Sequence, residues 1–240
     1  MRHFFIPLFI LSTHFATSQH TSSDSSFLAI SKKNAIRSYT KTNTYNIYNG
    51  REYNEYRPIA EEHPYLLLAW TEGIISYSGK LFEDVPLLYD LSKDAIITEH
   101  SNGIEITLIK EKVNYFILNG HRYEFLNASG LASGFYEILY SGGIKILAKR
   151  EKFKQERITT HAVHIDFEEK VKYYLFLDGK FSVISSKRSI LKLLVAKSPK
   201  TKKAMEEEKL DLKSKKEESF IRLAKLYDQL TSPVWQRPGQ

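Results

Sequence analysis

Five short segments of residues that tolerate a positive φ punctuate the middle of this 240-residue chain: Asn49-Gly50, Ser78-Gly79, Asn119-Gly120, Ser141-Gly142-Gly143 and Asp178-Gly179. Two-residue β-hairpins demand such residues, because only a positive-φ turn matches the right-handed twist of the flanking strands. Each segment therefore predicts a hairpin, and the flanks agree: residues 73–77 with 80–82, 113–118 with 121–126, 135–140 with 144–149, and 171–177 with 180–184. Further strands are expected at 85–89, 95–98, 104–109 and 160–167. In Ile104-Glu105-Ile106-Thr107-Leu108 the apolar residues fall at every second position, which places them on one face of a strand. The chain is dense in aromatics, with 15 Tyr, 14 Phe and 2 Trp, a bias that suits half-buried pleated surfaces. About ten strands with no helix-period stretch between them predict a mainly β fold, an antiparallel β-sandwich or barrel-like domain over residues 45–185. Gly50, Gly79 and Gly120 are each followed three residues later by an aromatic (Tyr53, Phe82, Tyr123). The unequal spacing makes this hairpin grammar rather than a solenoid repeat.

The first 18 residues read as an address. Residues 1–3 carry one Arg, residues 4–15 are mostly apolar and too short to cross a hydrocarbon core of about 30 Å, and Ala16-Thr17-Ser18 supplies small residues for a signal peptidase. A signal peptide cleaved between Ser18 and Gln19 is expected, and with it a periplasmic or extracellular location. No later stretch is long and apolar enough for a transmembrane span, so none is expected in the mature chain. Cysteine is absent, which excludes disulfides, thiolate zinc sites, a cysteine nucleophile and the lipidated cysteine of bacterial lipoproteins. Residues 19–44 are Ser/Thr-rich, broken only by Phe27-Leu28-Ala29-Ile30, and read as a flexible arm.

Charge divides the chain near Ser186. Residues 1–186 balance at 21 basic and 21 acidic side chains, whereas residues 187–240 carry 14 against 7, so the net charge of +7 lies in the C-terminal quarter. That quarter, residues 186–231, reads as helical. Ser186 or Ser189 caps a helix through Lys197, Pro199 interrupts it, and a second basic helix follows to Glu208. Ser214 and Glu217 have capping-box spacing and start a third helix, whose Phe220, Leu223, Ala224, Tyr227 and Leu230 form one apolar stripe. Burial of that stripe against the β-domain is expected, with a partner-docking or membrane-surface helix as the alternative. Residues 232–240 contain two prolines and read as a disordered tail. A basic segment on an exported protein points to a protein or an anionic envelope component as partner, and away from nucleic acid.

The run Tyr174-Leu-Phe-Leu-Asp-Gly-Lys-Phe181, then Ser186-Lys-Arg-Ser-Ile-Leu-Lys192, Leu210-Asp-Leu-Lys-Ser214 and Leu226-Tyr-Asp-Gln-Leu230, resembles the ending of an uncharacterised family of exported Bacteroidota proteins. Asn49-Gly50-Arg51-Glu52-Tyr53 and Leu88-Tyr89-Asp90 are similar to its earlier half, so the resemblance spans most of the mature chain. It implies a Gram-negative periplasmic or cell-envelope location and brings no assigned chemistry.

Candidate chemical sites are sparse. In His161-Ala-Val-His164-Ile-Asp166 the two histidines, three apart, point to opposite faces of a strand, and only His164 and Asp166 share one. That pair is the nearest approach to a metal or acid–base cluster, against a plain cross-strand polar pair. Glu61-Glu62-His63 offers ligand atoms in a Pro-flanked loop that solvation explains as well. Glu83-Asp84 and Glu168-Glu169 are neighbouring carboxylates that diverge on strands. Asn127-Ala-Ser129 matches a glycosylation acceptor only formally. Trp70, Tyr77, Phe82 and Tyr89 either line a ligand cleft or fill an aromatic core. No serine-hydrolase elbow, zincin motif, phosphate loop or dinucleotide fingerprint occurs, and no cofactor is implied. The expected function is a non-enzymatic binding or assembly module of the cell envelope. The alternatives are a small hydrolase whose carboxylates and histidines converge only in the fold, and a carrier of an apolar ligand.

Overall fold

The computed structural model describes residues 47–54, 56, 63–100, 102–158 and 163–231, and at 157, 163 and 164 the backbone alone. The signal segment with its Ser18–Gln19 junction, the arm at 19–44, the tail at 232–240, Glu61, Glu62 and His161 lie outside the described residues.

The chain is mainly β and antiparallel, with a helical C-terminal segment, as the turn grammar predicts. Among the described residues eleven strands form one sheet: β1 (Gly50–Glu52), β2 (Thr71–Tyr77), β3 (Lys80–Asp90), β4 (Ala95–Glu99), β5 (Glu105–Leu108), β6 (Val113–Leu118), β7 (His121–Leu126), β8 (Gly134–Ser141), β9 (Lys145–Ile158), β10 (Val163–Leu177) and β11 (Lys180–Ile184). Their order is β1-β5-β4-β3-β2-β6-β7-β8-β9-β10-β11, and the sheet is not closed. Three of the turn pairs make the expected hairpins, with both residues at positive φ: Ser78-Gly79, Asn119-Gly120 and Asp178-Gly179. Two glycine segments work differently. Gly50 begins an edge strand that pairs with β5 instead of turning a hairpin, and a Cβ there would lie 2.4 Å from the Thr107 carbonyl oxygen, so close approach is what requires glycine. Gly142 and Gly143 do connect β8 to β9, but without positive φ. A Cβ on Gly142 would lie 2.2 Å from the Asp228 carboxylate of the last helix.

The strands expected at 80–82 and 85–89 are one strand, β3, because Asp84 takes a positive φ and the β2–β3 register slips by a bulge at Gly73/Ile75. The strands expected at 144–149 and 171–177 are likewise the bases of longer ones. β9 and β10 pair continuously from Lys145↔Phe176 to Ile158↔Val163, through a charged stretch that apolar alternation does not mark.

Chain length forces the sheet to roll. β5 and β6 lie four strand spacings apart in the sheet order, about 19 Å if flat. Only residues 109–112 join them, a link of at most about 17 Å extended, and Lys110–Lys112 form a shorter 3-10 turn. β2–β6 therefore curl until Leu108 and Val113 meet in one core. Tyr77 bridges the seam, its hydroxyl donating to the Asn49 carbonyl and accepting from the Ile109 N–H at 3.3 Å. The roll continues across β6–β8: Tyr89 of β3 meets Phe116, Tyr123 and Phe135 edge-on, with ring centroids 5.2, 5.6 and 5.9 Å away. The interior is filled by these rings together with Ile75, Val85 and Leu87.

The far end of the sheet carries the helices α1 (Lys187–Lys197), α2 (Lys202–Glu207) and α3 (Lys216–Thr231). Ser186 caps α1 through a reciprocal box with Ser189. A 3-10 turn at Pro199–Thr201 leads into α2. Ile190 and Leu194 of α1, Met205 of α2, and Phe220, Leu223, Ala224 and Tyr227 of α3 pack on Ile146, Ala148, Tyr173, Leu175 and Ile184. The α3 stripe is thus buried against the sheet, and Leu230 at its end is 36% exposed. The capping box expected at Ser214 and Glu217 does not form. Asp211 receives Ser214 through both its N–H and its hydroxyl, while Glu217 reaches into the sheet.

Candidate functional site

The densest chemistry in the fold lies where the β3–β4 turn meets β8 and β9. Asp90, fully buried at the end of β3, accepts the N–H groups of Ser92 (2.8 Å) and Lys93 (2.9 Å) and so shapes the turn. The Tyr53 and Tyr56 hydroxyls donate to it at 2.9 and 3.0 Å. Burial first, then the hydrogen bond to Tyr65 and the Asp90 charge, push the Tyr53 hydroxyl far above its ordinary value. The Lys93 ammonium sits 4.3 Å from the centroids of both the Tyr53 and Tyr56 rings, and burial pulls its pKa down.

Four residues on, Asp94 accepts the Tyr89 hydroxyl (2.6 Å), the Lys110 ammonium (2.9 Å), the Lys149 ammonium (2.8 Å) and the Phe135 N–H (3.3 Å). Lys149 is 4% exposed and also donates to the Phe135 carbonyl at 3.1 Å. Burial by itself would raise the Asp94 carboxyl, but Lys149, Tyr89 and Lys110 outweigh it and hold the carboxyl below its ordinary value. This knot ties the β3–β4 turn to β8 and β9, strands that are not neighbours of β3 or β4 in the sheet order.

A second buried carboxylate binds the sheet to the helices. Glu137 of β8 meets His121 Nδ1 and Arg150 Nε, each at 2.6 Å. Arg150 continues to Glu217 of α3 at 2.8 Å, and the Tyr173 hydroxyl donates to Glu217 at 3.0 Å. Burial and the Glu217 charge push that hydroxyl up to about 12. In both networks the carboxylate oxygens are held by cations, hydroxyls or backbone N–H groups, an arrangement suited to fixing strands rather than to moving protons.

The residues singled out from sequence scatter. His164 and Asp166 sit on β10 opposite Arg157 and Gln155. Among the described residues no three His, Asp or Glu side chains come together as a metal site. The His63 ring stacks on Tyr65 at 6.2 Å and its carbonyl accepts Lys152. Glu83 and Asp84 lie exposed at the β3 bulge, Glu168 and Glu169 on β10, and Asn127 to Ser129 in the exposed β7–β8 loop. Tyr77, Phe82 and Tyr89 are core, and Trp70 packs on the opposite face of β3 with Tyr53, Leu88 and Ile97, so the four do not share one cleft. Sequence reading passed over Asp94 and Lys149. One signal was present: Lys149 ends Ile144-Lys-Ile-Leu-Ala-Lys149, a run whose Ile146 and Leu147 demand cover on both faces, so a lysine beside them needs a buried partner.

Among the described residues three surface concavities stand out. One of about 530 Å³ lies between β1, the β3–β4 turn and the β5–β6 link, lined by Arg51, Tyr53, Lys93, Lys110 and Glu111. A second, about 470 Å³, runs along α1 beside Arg188, Leu191, Lys192, Val195 and Glu206. The third, about 390 Å³, lies between the β10–β11 hairpin and α1.

The outer faces of the helices are strongly basic. Arg188, Lys192, Lys200, Lys202, Lys203 and Lys225 are exposed. Lys187 instead donates to the carbonyls of Glu206 (2.7 Å) and Glu208 (2.8 Å), closing the C-terminal end of α2. Lys197 pairs with Asp178 at 2.7 Å and Arg222 with Glu208. Among the described residues no helix is long and apolar enough to cross a membrane. Compared with known proteins, the chain matches no family model, no curated protein and no solved structure.

Proposed function

We propose that this is an exported, non-enzymatic binding or assembly module of the cell envelope that presents the outer face of its C-terminal helices to an anionic envelope component. The observation that carries this reading is the division of labour within the helices. Their apolar stripe is consumed by the sheet, while α1–α3 carry nine Lys or Arg against five Asp or Glu and keep most of these cations on the outside. Surface cations lower the potential energy of an approaching anionic surface, by about 1 kcal/mol per Lys or Arg beside anionic lipid. The occupied carboxylates of the two buried networks and the ring-filled interior also favour a scaffold over a catalyst or a carrier.

The test is co-sedimentation of the mature chain with phosphatidylglycerol vesicles, with phosphatidylcholine vesicles as control. Raising salt from about 0.01 M to about 1 M cuts the Debye length from about 30 Å to about 3 Å and is expected to release the protein. Arg188→Glu with Lys192→Glu is expected to weaken low-salt binding at least about tenfold, two reversed charges being worth more than about 2 kcal/mol. Binding that is indifferent to salt, or to the double reversal, overturns the reading.

A further inference from the structure

α1 is amphipathic in three rows rather than two. At about 100° per residue, Ile190 and Leu194 form one row, Leu191 and Val195 the next around the helix, and Arg188 and Lys192 the third. The first row is buried on the sheet and the third is exposed. The middle row is half-buried, with Leu191 at the margin of the apolar cluster that joins helices and sheet.

That middle row floors the concavity of about 470 Å³, whose remaining lining is Lys187, Arg188, Lys192 and Glu206. Three cations therefore stand against one carboxylate around two apolar side chains. Lys187 is fixed by the carbonyls of Glu206 and Glu208. The long stems of Arg188 and Lys192 add apolar wall beneath their charged heads. A ligand matched to this groove carries hydrocarbon and negative charge side by side.

We propose, resting on the reading of these helices as the face turned to an anionic envelope component, that the α1 groove binds an anionic lipid. One acyl chain lies on Leu191 and Val195, and the phosphate sits at Arg188 and Lys192. The size of the floor selects this occupant over a protein helix. Leu191 and Val195 are one i, i+4 pair, about 6 Å along the axis, whereas a docked amphipathic helix needs anchors over several turns. Charge selects it over a second copy of the chain, because pairing two α1 grooves would bring two Arg188–Lys192 rows together.

The probe is lysophosphatidylglycerol below its micelle-forming concentration, a single chain with an anionic head and no bilayer, titrated calorimetrically into the full chain. Affinity is expected to rise about two- to fourfold per methylene as the chain lengthens from about ten to about fourteen carbons, fourfold marking complete burial. Lysophosphatidylcholine of equal chain length should bind at least about tenfold more weakly, having no net charge for Arg188 and Lys192. Two variants then test the placement. Val195→Gln puts a good helix former in the floor. It is expected to weaken the lipid at least about fivefold, while circular dichroism and the unfolding midpoint stay those of the parent. Glu206→Gln removes the carboxylate of the rim and should tighten binding about two- to fivefold. Affinity that ignores chain length, or that Val195→Gln leaves unchanged, overturns the groove while salt-sensitive vesicle binding stands. Chain-length dependence beside vesicle binding that salt does not touch supports the groove and overturns the reading of the outer face. A dimer in sedimentation that Val195→Gln dissolves would assign the groove to a second copy and overturn the lipid.

Discussion

Asp94 is the residue on which the rolled sheet depends most. It brings the β3–β4 turn onto β8 and β9 through Lys149 and Phe135, and Asn cannot replace its charge. Asp94→Asn leaves the Lys149 ammonium buried with a neutral partner, which costs about 3–5 kcal/mol for ion pairs broken from one side. Urea unfolding should show that loss as a lower midpoint with an unchanged slope. The pH dependence has a definite sign. A carboxyl held below its unfolded value, about 3.9, contributes stability that is complete above that value. The contribution is lost as pH falls through the lower folded value. The parent should therefore weaken steeply on acidification, and Asp94→Asn should flatten that limb. Gly134 belongs to the same knot, because a Cβ there would lie 2.2 Å from Asp94 Oδ2 and 2.5 Å from Lys149 Nζ. Gly134→Ala is expected to cost about 1–3 kcal/mol, and the double variant with Asp94→Asn should cost less than the sum of the two, since both break one contact set. No local sequence pattern announces Asp94. Apart from Tyr89, five residues back, its partners lie 16, 41 and 55 residues away, at Lys110, Phe135 and Lys149, and only the roll of the sheet brings these to it.

At the scale of elements, legibility follows how local the determining physics is. Ser78-Gly79, Asn119-Gly120 and Asp178-Gly179 are readable because a two-residue turn is a conformational property of its own residues. Asn49-Gly50 has the same letters and a different cause, a close approach to β5 that depends on residues more than 50 positions away. The α1 cap at Ser186 is readable for the same local reason, while the box at Ser214 loses to Asp211 and to Arg150, competitors outside the four-residue motif. The β8–β9 connection shows how an element can be fixed from afar. Asp228 near the end of α3 accepts the Gly143 N–H at 2.7 Å and the Tyr140 hydroxyl at 2.8 Å, and burial with this carboxylate pushes the hydroxyl up to about 12. Asp228→Ala removes the one oxygen that accepts both bonds, so a loss of about 1–3 kcal/mol is expected in thermal or urea unfolding. Amide exchange should rise first at Gly143 and in the last turn of α3. A loss confined to α3, with the β8–β9 connection unchanged, would mean that the hairpin holds its shape without the helix.

At the scale of the molecule, the change of charge and pattern near Ser186 coincides with the switch from strand to helix, yet the core crosses it. Ile146, Tyr173, Leu175 and Ile184 on the sheet share one apolar cluster with Ile190, Leu194, Met205, Phe220, Leu223 and Tyr227 from the helices. Burial of each large apolar side chain contributes about 1.5–3 kcal/mol, so the helical side of this cluster is comparable with the entire net stability of an ordinary domain, about 5–15 kcal/mol. The Glu137–Arg150–Glu217 chain crosses the same boundary and would leave Arg150 and Glu137 without their third member. Removal of residues 187–240 is therefore expected to expose the apolar face of β9–β11 and to yield a chain that aggregates or binds a hydrophobic dye, although every strand survives in its sequence. Size-exclusion chromatography beside the parent, with near-ultraviolet circular dichroism of the aromatic core, reads this directly. A monomeric truncation that keeps the parent's near-ultraviolet spectrum would show instead that the rolled β2–β8 core stands alone. The helices would then be an appendage held to the sheet only for what their basic outer face binds.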